Sequence, residues 1–295
     1  MVSDPSEASP TVNAMVSDMR RRQAIATAAA GLVGTVAGGA ALAGPAAGAP
    51  SAAGTPMRLD RLRLVFLSHV NDPATTSGFP GDPEFTLTTA FTVPVDGFYL
   101  QYVKEGEHTG THWGAPVHFH ENGLAADQLD PGDLFLPAVK IDIRAKAARN
   151  EDYAVTVADL QAWERDNGRI PDESAVILWT GWEDRWGTPR YANLDAQGRI
   201  HQPGFSLEAA QWLVDNGRLG RRGSLGTDTF GADVGIDETF AVTSLLFHRH
   251  RISLENLANL GTLPATGAWV LVGGPRNHHG SGSPATIFGV IPPDS

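Results

Sequence analysis

Four of the chain's ten histidines fall in one short stretch, at positions 108, 112, 118 and 120 of His108-Thr-Gly-Thr-His-Trp-Gly-Ala-Pro-Val-His-Phe-His120. Imidazole is the commonest biological metal ligand and the only side chain that titrates near neutral pH without help from its surroundings. Gly110, Gly114 and Pro116 thread the stretch and mark it as a constrained turn. The bland alternative is a surface loop that happens to carry histidines. The chain contains no cysteine, so thiolate metal sites, disulfides and cysteine nucleophiles are excluded. Any metal held here takes nitrogen and oxygen ligands.

The rest of the chain sets bounds on that chemistry. At 295 residues and 42% hydrophobic content it can build one large domain or two small ones. A net charge of −11 argues against nucleic acid or an anionic membrane surface as partner and leaves a small-molecule substrate. Residues 1–56 read as separate from the fold. Arg20-Arg21-Arg22-Gln23 precedes an Ala- and Gly-rich run from Ala24 to Ala43 that contains the small-residue site Ala41-Leu42-Ala43. A charged region, an apolar region and an A-x-A site make an export signal. The paired arginines and weak hydrophobicity favour the twin-arginine route, which puts the mature protein outside the cell or in its envelope. A transmembrane anchor needs about 20 strongly apolar residues, and this run is mostly Ala and Gly. No membrane contact is therefore expected once the signal is removed.

The elements that must carry the histidines lie in residues 57–295. Leu62 to Ser68 reads as a strand, followed by a Pro/Gly loop from Asp72 to Pro83. Phe98 to Val103 reads as a second strand that delivers the chain to His108 and gives the cluster a rigid support. Ala138 to Ile143 and Ala175 to Trp179 read as buried strands, and Trp269 to Val272 as a late one. Between the first two, Thr156 and Asp159 have the spacing of a capping box, with Leu160 and Trp163 on one helical face. Ser206 opens a second helix that Gly217 ends, and Asp237 to His248 reads as a third that buries Phe240 and Phe247. Strands alternating with helices imply an α/β fold. Gly273-Gly274-Pro275 reads as a turn, because no phosphate-loop pattern surrounds it.

The stretch from His108 to His118 resembles the signature His-x-Gly-Thr-His-x-Asp-x-Pro-x-His of the metal-dependent cyclase, or kynurenine formamidase-like, family. The resemblance extends along the chain: Phe79-Pro80-Gly81-Asp82-Pro83, Thr180-Gly181-Trp182, His201-Gln-Pro-Gly204, Gly226-Thr-Asp228-Thr229 and Glu255-Asn256-Leu257 match the family's motifs in order. It implies an α/β domain of the swivelling β/β/α type, usually in homo-oligomers. It also implies hydrolysis of small amides, formamides or lactams with zinc or manganese. His108 and His112 would bind the metal, His118 would handle protons, and Glu255 would sit at or near the metal. Two positions depart from the pattern: Gly114 stands where the family has aspartate, and Thr243 where it has histidine.

Two histidines at i and i+4 can converge on one ion, but catalytic sites usually take three protein ligands and a water. The third is sought among Glu255, Asp228 and His120, with Glu255 favoured. A His/His/carboxylate set suits a single zinc or manganese ion and leaves His118 as general base. Phe79, Trp113 and Trp182 are candidate walls for a ring-bearing substrate. Each reading has a structural rival: Glu255 pairing with Arg251, Asp228 as a turn residue, the aromatics as core, His248 and His250 complementing a helix end. His278 and His279 are candidates for the pocket mouth. The expected function is metal-dependent hydrolysis of a small cyclic or aryl amide, lactam or ester. A non-hydrolytic cyclase or isomerase, or a binding protein whose chemistry has lapsed, are the alternatives.

Overall fold

The run Ala-Val-Ile-Leu-Trp at Ala175–Trp179 forms the middle strand of the main sheet. Its side chains alternate between two cores, Ala175 and Ile177 entering one, Val176 and Leu178 the other. This is the pattern of a strand covered on both faces, so almost every residue is apolar. The computed structural model describes residues 61–293. The expected export segment lies outside the described residues.

The described strands are β1 (Arg63–Phe66), β2 (Thr86–Phe91), β3 (Leu100–Lys104), β4 (His112–Gly114), β5 (Phe135–Asp142), β6 (Ala154–Val155), β7 (Ala175–Trp179), β8 (Gly204–Phe205), β9 (Ser224–Thr227), β10 (Ile252–Glu255), β11 (Ala268–Val272), β12 (Gly282–Pro284) and β13 (Ile287–Ile291). Among the described residues three helices exceed a single turn: α1 (Val157–Asn167), α2 (Leu207–Asp215) and α3 (Ala241–Leu246). Nine strands join in the order β1-β13-β11-β5-β7-β9-β10-β4-β12. The central four, β5, β7, β9 and β10, are parallel, and the strands on both flanks are antiparallel.

Each parallel step carries one helix: α1 between β5 and β7, α2 between β7 and β9, α3 between β9 and β10. All three steps move the same way along the sheet, and parallel crossovers share one hand, so the helices land on one face. There Leu160, Trp163, Ala210, Leu213, Val242 and Leu246 pack with Val139, Val176, Leu178 and Leu225. The opposite face gathers Trp113, Leu254, Leu257, Val270 and Ile287 into the second core. The result is the mixed α/β domain implied by the alternation of strands and helices. No helix among the described residues is long and apolar enough to cross a membrane.

Local chemistry fixes the helix starts. Thr156 Oγ1 accepts the Asp159 N–H, and Asp159 Oδ2 accepts the Thr156 N–H, closing the capping box that opens α1. Ser206 Oγ accepts the Ala209 N–H at 3.1 Å and opens α2. The third helix is shorter than its spacing suggests. Asp237 bonds Thr239 in a local turn, and Phe240 adopts φ +51°, so α3 begins only at Ala241. Phe247 is buried as expected, whereas Phe240 is half-exposed.

The strand expected to support the histidines is also corrected. β3 pairs only with β2, outside the main sheet, and every residue of it is exposed. The support comes instead from β4, three residues of the cluster itself, held between β10 and β12.

Candidate active site

His112 and Glu255 are directly opposed in the antiparallel β4–β10 pair. Directly opposed residues project from the same face of a sheet, so register alone brings the two side chains together. Nε2 of His112 lies 3.0 Å from Oε2 of Glu255, and both residues are largely withdrawn from water. The other ring nitrogen, Nδ1, is 2.9 Å from the carbonyl oxygen of Gly110. A carbonyl can only accept, so the proton of a neutral His112 sits on Nδ1 and Nε2 carries a lone pair. Gly110 adopts φ +61°, and a Cβ there would meet Asn71 Oδ1 at 2.5 Å, so the turn that aims this carbonyl requires glycine. Asn256 Nδ2 donates to the same carbonyl at 2.8 Å and locks the turn to the end of β10.

His108 is oriented from the other side. Ser281 Oγ donates to Glu107 Oε2 at 2.9 Å and lies 2.9 Å from His108 Nε2. With the serine proton given to the carboxylate, the histidine must be the donor at Nε2, which leaves its Nδ1 unprotonated. The His108 ring stacks on His118 with centroids 3.9 Å apart. His118 sits on a 3₁₀ turn, Pro116–His118, and no hydrogen bond holds its ring nitrogens among the described residues. Burial pushes the pKa of His108 down to about 3 and lowers that of His118. Burial opposes charge on His112 as well, but the neighbouring Glu255 carboxylate and the Gly110 carbonyl hold its pKa above the ordinary value. Glu255 shows the converse: burial disfavours its charge, yet His112, His108 and Ser253 hold its pKa below the usual carboxylate range.

These residues fit a divalent cation. Nε2 of His112 is buried 3.0 Å from Oε2 of Glu255, and the pKa displacements of both groups favour an imidazolium–carboxylate pair. A cation taking the place of that proton would meet the same nitrogen and oxygen donors. Imidazole and carboxylate donors suit zinc or manganese. His108 and Asp82 line the same pocket.

The two departures from the family pattern are absorbed into the packing. A Cβ on Gly114 would meet Ser253 Oγ at 2.7 Å and Phe247 Cζ at 3.0 Å, so an aspartate there would have to displace both side-chain tips. Ser253 Oγ accepts the Gly114 N–H at 3.1 Å and donates in turn to Glu255. Thr243 Oγ1 donates to the buried carboxylate of Asp233, which also caps the backbone of Val242 and Thr243.

The pocket, about 250 Å³, brings together His108, His112, His118, Glu255 and Phe79. Phe119, Phe230 and Phe240 complete its apolar wall, with Phe79 edge-on to Phe230 at 5.7 Å. Trp113 and Trp182 are not on it. Trp113 is 1% exposed in the sheet core, and Trp182 is buried against Tyr191, to whose carbonyl its indole N–H donates. Asp228 is buried away from the pocket and accepts from the Thr180 backbone and hydroxyl, which makes it a turn residue. His120 turns away to the Ser244 carbonyl and stacks on His248. His250 pairs with buried Asp133, and Arg221 and Arg222 fill that cluster with positive charge. His278 and His279 lie at the surface beside Asp127, outside the pocket.

Asp82, Phe119, Phe230 and Phe240 line the pocket without having been singled out in the sequence for that role. The Pro-Gly-Asp-Pro run around Asp82 was the available signal; nothing local marks the phenylalanines as pocket residues.

Comparison with known proteins follows the same lines. Residues 65–234 match the family described as putative cyclase. An isatin hydrolase of Roseibium aggregatum is 32% identical over 202 residues, covering 66% of this chain and 76% of its own length. A kynurenine formamidase of Salinibacter ruber is 36% identical over 89 residues, covering 29% of this chain and 41% of its own. The crystal structure of an isatin hydrolase bound to the product analogue thioisatinate superposes with a TM-score of 0.73 at 27% identity, covering 79% of this chain and 94% of that one.

Proposed function

The chain belongs to the cyclase family and is a hydrolase of non-peptide C–N bonds, and from that footing we propose that it opens a small cyclic or aryl amide, lactam or ester with one divalent cation, zinc or manganese. The observation that carries this reading is the buried pairing of His112 Nε2 with Glu255 at 3.0 Å beneath a phenylalanine-lined pocket. When bound, such a cation polarises the scissile carbonyl and lowers the pKa of a water towards about 7.

The chain's own residues supply the rest. His112 and Glu255 would hold the cation, with the unprotonated Nδ1 of His108 available from the same pocket. His118 has an uncommitted, neutral imidazole within the same pocket, takes the proton from the attacking water and returns it to the leaving nitrogen or oxygen. Phe79, Phe119, Phe230 and Phe240 hold a ring and exclude bulk water. No lysine or arginine lines the pocket, which suits a neutral substrate.

Two further parts of the proposal concern the whole molecule. We propose export by the twin-arginine route, on the strength of Arg20–Arg22 and the Ala/Gly run. A homo-oligomer is supported by the β2–β3 hairpin, which exposes Phe98, Tyr99, Leu100, Tyr102 and Val103 together. Sedimentation of a monomer at micromolar concentration would remove that part.

The deciding experiment is elemental analysis of the purified protein, with turnover of N-formyl aromatic amines, lactams and lactones before and after chelation. About one ion per chain and chelator-sensitive hydrolysis are expected. Two tightly bound ions, or hydrolysis indifferent to chelation, would overturn the reading.

A further inference from the structure

One wall of the pocket is built where residues 200–205 run beside residues 230–235. Backbone bonds join the two stretches: the Phe205 N–H donates to the Ala232 carbonyl and the Gly235 N–H to the Gln202 carbonyl, each at 2.8 Å. A Cβ on Gly204 would meet the Asp233 carbonyl carbon at 2.4 Å, so glycine there lets the two backbones touch.

Among the described residues only the Gln202 side chain makes a hydrogen bond across this seam. Its Oε1 accepts the Phe230 N–H at 2.9 Å, and its Nε2 donates to the Tyr191 carbonyl at 2.6 Å. Gln202 is 2% exposed, so water offers neither group a replacement partner.

What the amide holds in place is a ring. Phe230 stands edge-on to Tyr191, with centroids 5.1 Å apart and planes at 89°, and edge-on to Phe79 on the pocket wall. Tyr191 is itself fully buried, and its hydroxyl donates to Oδ1 of Asn256, the residue after Glu255, at 2.7 Å. A continuous line of contacts thus runs from the aromatic wall, through the Gln202 amide and Tyr191, to the end of β10. Loosely placed phenylalanines would suffice to exclude water. A fixed ring angle matters when the occupant is also a flat ring, because aromatic pairs favour particular geometries.

We propose that Gln202 is a positioning residue for substrate selection. By tying the Phe230 backbone to Tyr191 it sets the gap between Phe79 and Phe230, and so gives the pocket a preference for a flat ring over an alkyl chain. This rests on the reading of the pocket as the site of a small amide substrate, and the test separates the two.

The experiment compares kcat/KM for N-formylaniline and for an N-formylalkylamine of similar size. The proteins are the wild type, Gln202→Met, Gln202→Glu, Phe230→Leu and the double variant Gln202→Met with Phe230→Leu, and equilibrium binding of acetanilide is measured on each. Gln202→Met leaves the Phe230 N–H unpaired, whereas the Tyr191 carbonyl keeps the Trp182 indole as a partner. The aryl-over-alkyl preference should fall about tenfold, chiefly through KM for the aryl substrate, the scale of orphaning one buried donor. Gln202→Glu, whose protonated carboxyl can make both bonds, should retain more of the preference. With Phe230→Leu in place, Gln202→Met should change the preference little further, because both act through one ring. Should Gln202→Met not fold, Gln202→Glu is compared in its place with and without Phe230→Leu. Equal losses on both substrates would reduce Gln202 to a structural role, and additive losses would show that it does not act through Phe230; either result overturns the proposal. A wild type that turns over neither formamide yet binds acetanilide, with Gln202→Met binding it about tenfold more weakly, would overturn the amide-substrate reading and leave the role of Gln202 standing. A wild type that neither turns over nor binds an aryl amide would overturn both.

Discussion

Nε2 of His112 and Oε2 of Glu255 stand 3.0 Å apart across the β4–β10 pair, and each favours the charged form of the other. If the pocket holds a divalent cation, these two side chains would be among those that hold it. The sheet thus sets the bite of the site through strand register, which places it on the most rigid part of the molecule.

His112→Ala and His118→Ala are expected to fail differently. His112→Ala should lose metal and activity together, and lower the melting temperature by whatever metal binding contributed. His118→Ala should keep the metal and the fold and lose about 10²–10⁴-fold in turnover. Metal content, melting temperature and rate, measured side by side, check this. Loss of the ion from His118→Ala with its retention in His112→Ala would invert the assignment.

Ser281→Ala removes the acceptor for His108 Nε2 and leaves Glu107 without its hydroxyl partner. Metal affinity is expected to fall about 10- to 100-fold while the metal-free fold persists. Ser281→Thr, which keeps a hydroxyl, should recover part of the loss. Equal affinities for the alanine variant and wild type would show that the Glu107–Ser281 pair does not orient His108.

Burial holds the pKa of His69 down to about 4, and its ring stacks on Trp186 with centroids 4.0 Å apart. An unfolded chain takes up this proton near 6.5, whereas the folded chain resists until about 4. The residue's contribution to stability is therefore complete above about pH 6.5 and is lost as the pH falls towards 4. His69→Phe retains a ring against Trp186 and cannot titrate. Relative to wild type, its urea midpoint should improve steadily from pH 7 to pH 4.5. Parallel profiles over that range would count against the assignment.

Fusing residues 1–56 to a reporter should give export that depends on twin-arginine transport. Export that survives Arg21→Lys combined with Arg22→Lys would sink that expectation.

Much of the fold was legible because its determinants are local. Ala175–Trp179 is apolar throughout, and the capping residues Thr156 and Ser206 bond as their spacing implies. What escaped depends on distant partners. β9 reads Ser-Leu-Gly-Thr, weak strand chemistry on its own, and is held between β7 and β10. Phe240 looks like a helix residue until Asp237 and Asp233 divide the backbone bonding between them. The histidines were visible as a cluster, but their pairing with Glu255 depends on a strand register set by residues more than a hundred positions away. Trp113 and Trp182 were visible only as aromatics, and size alone does not distinguish a wall from a core.

The packing around Gly114 bears on how this site can change over time. A Cβ at that position collides with Ser253 Oγ and Phe247 Cζ, and that serine also anchors the Gly114 backbone and the Glu255 carboxylate. Gly114→Asp therefore requires Ser253 Oγ to turn aside and Phe247 Cζ to shift by a few tenths of an ångström. Turning Ser253 aside would cost the hydrogen bond it accepts from the Gly114 N–H. Residues 114, 247 and 253 are therefore coupled, and the effects of changing them should not add.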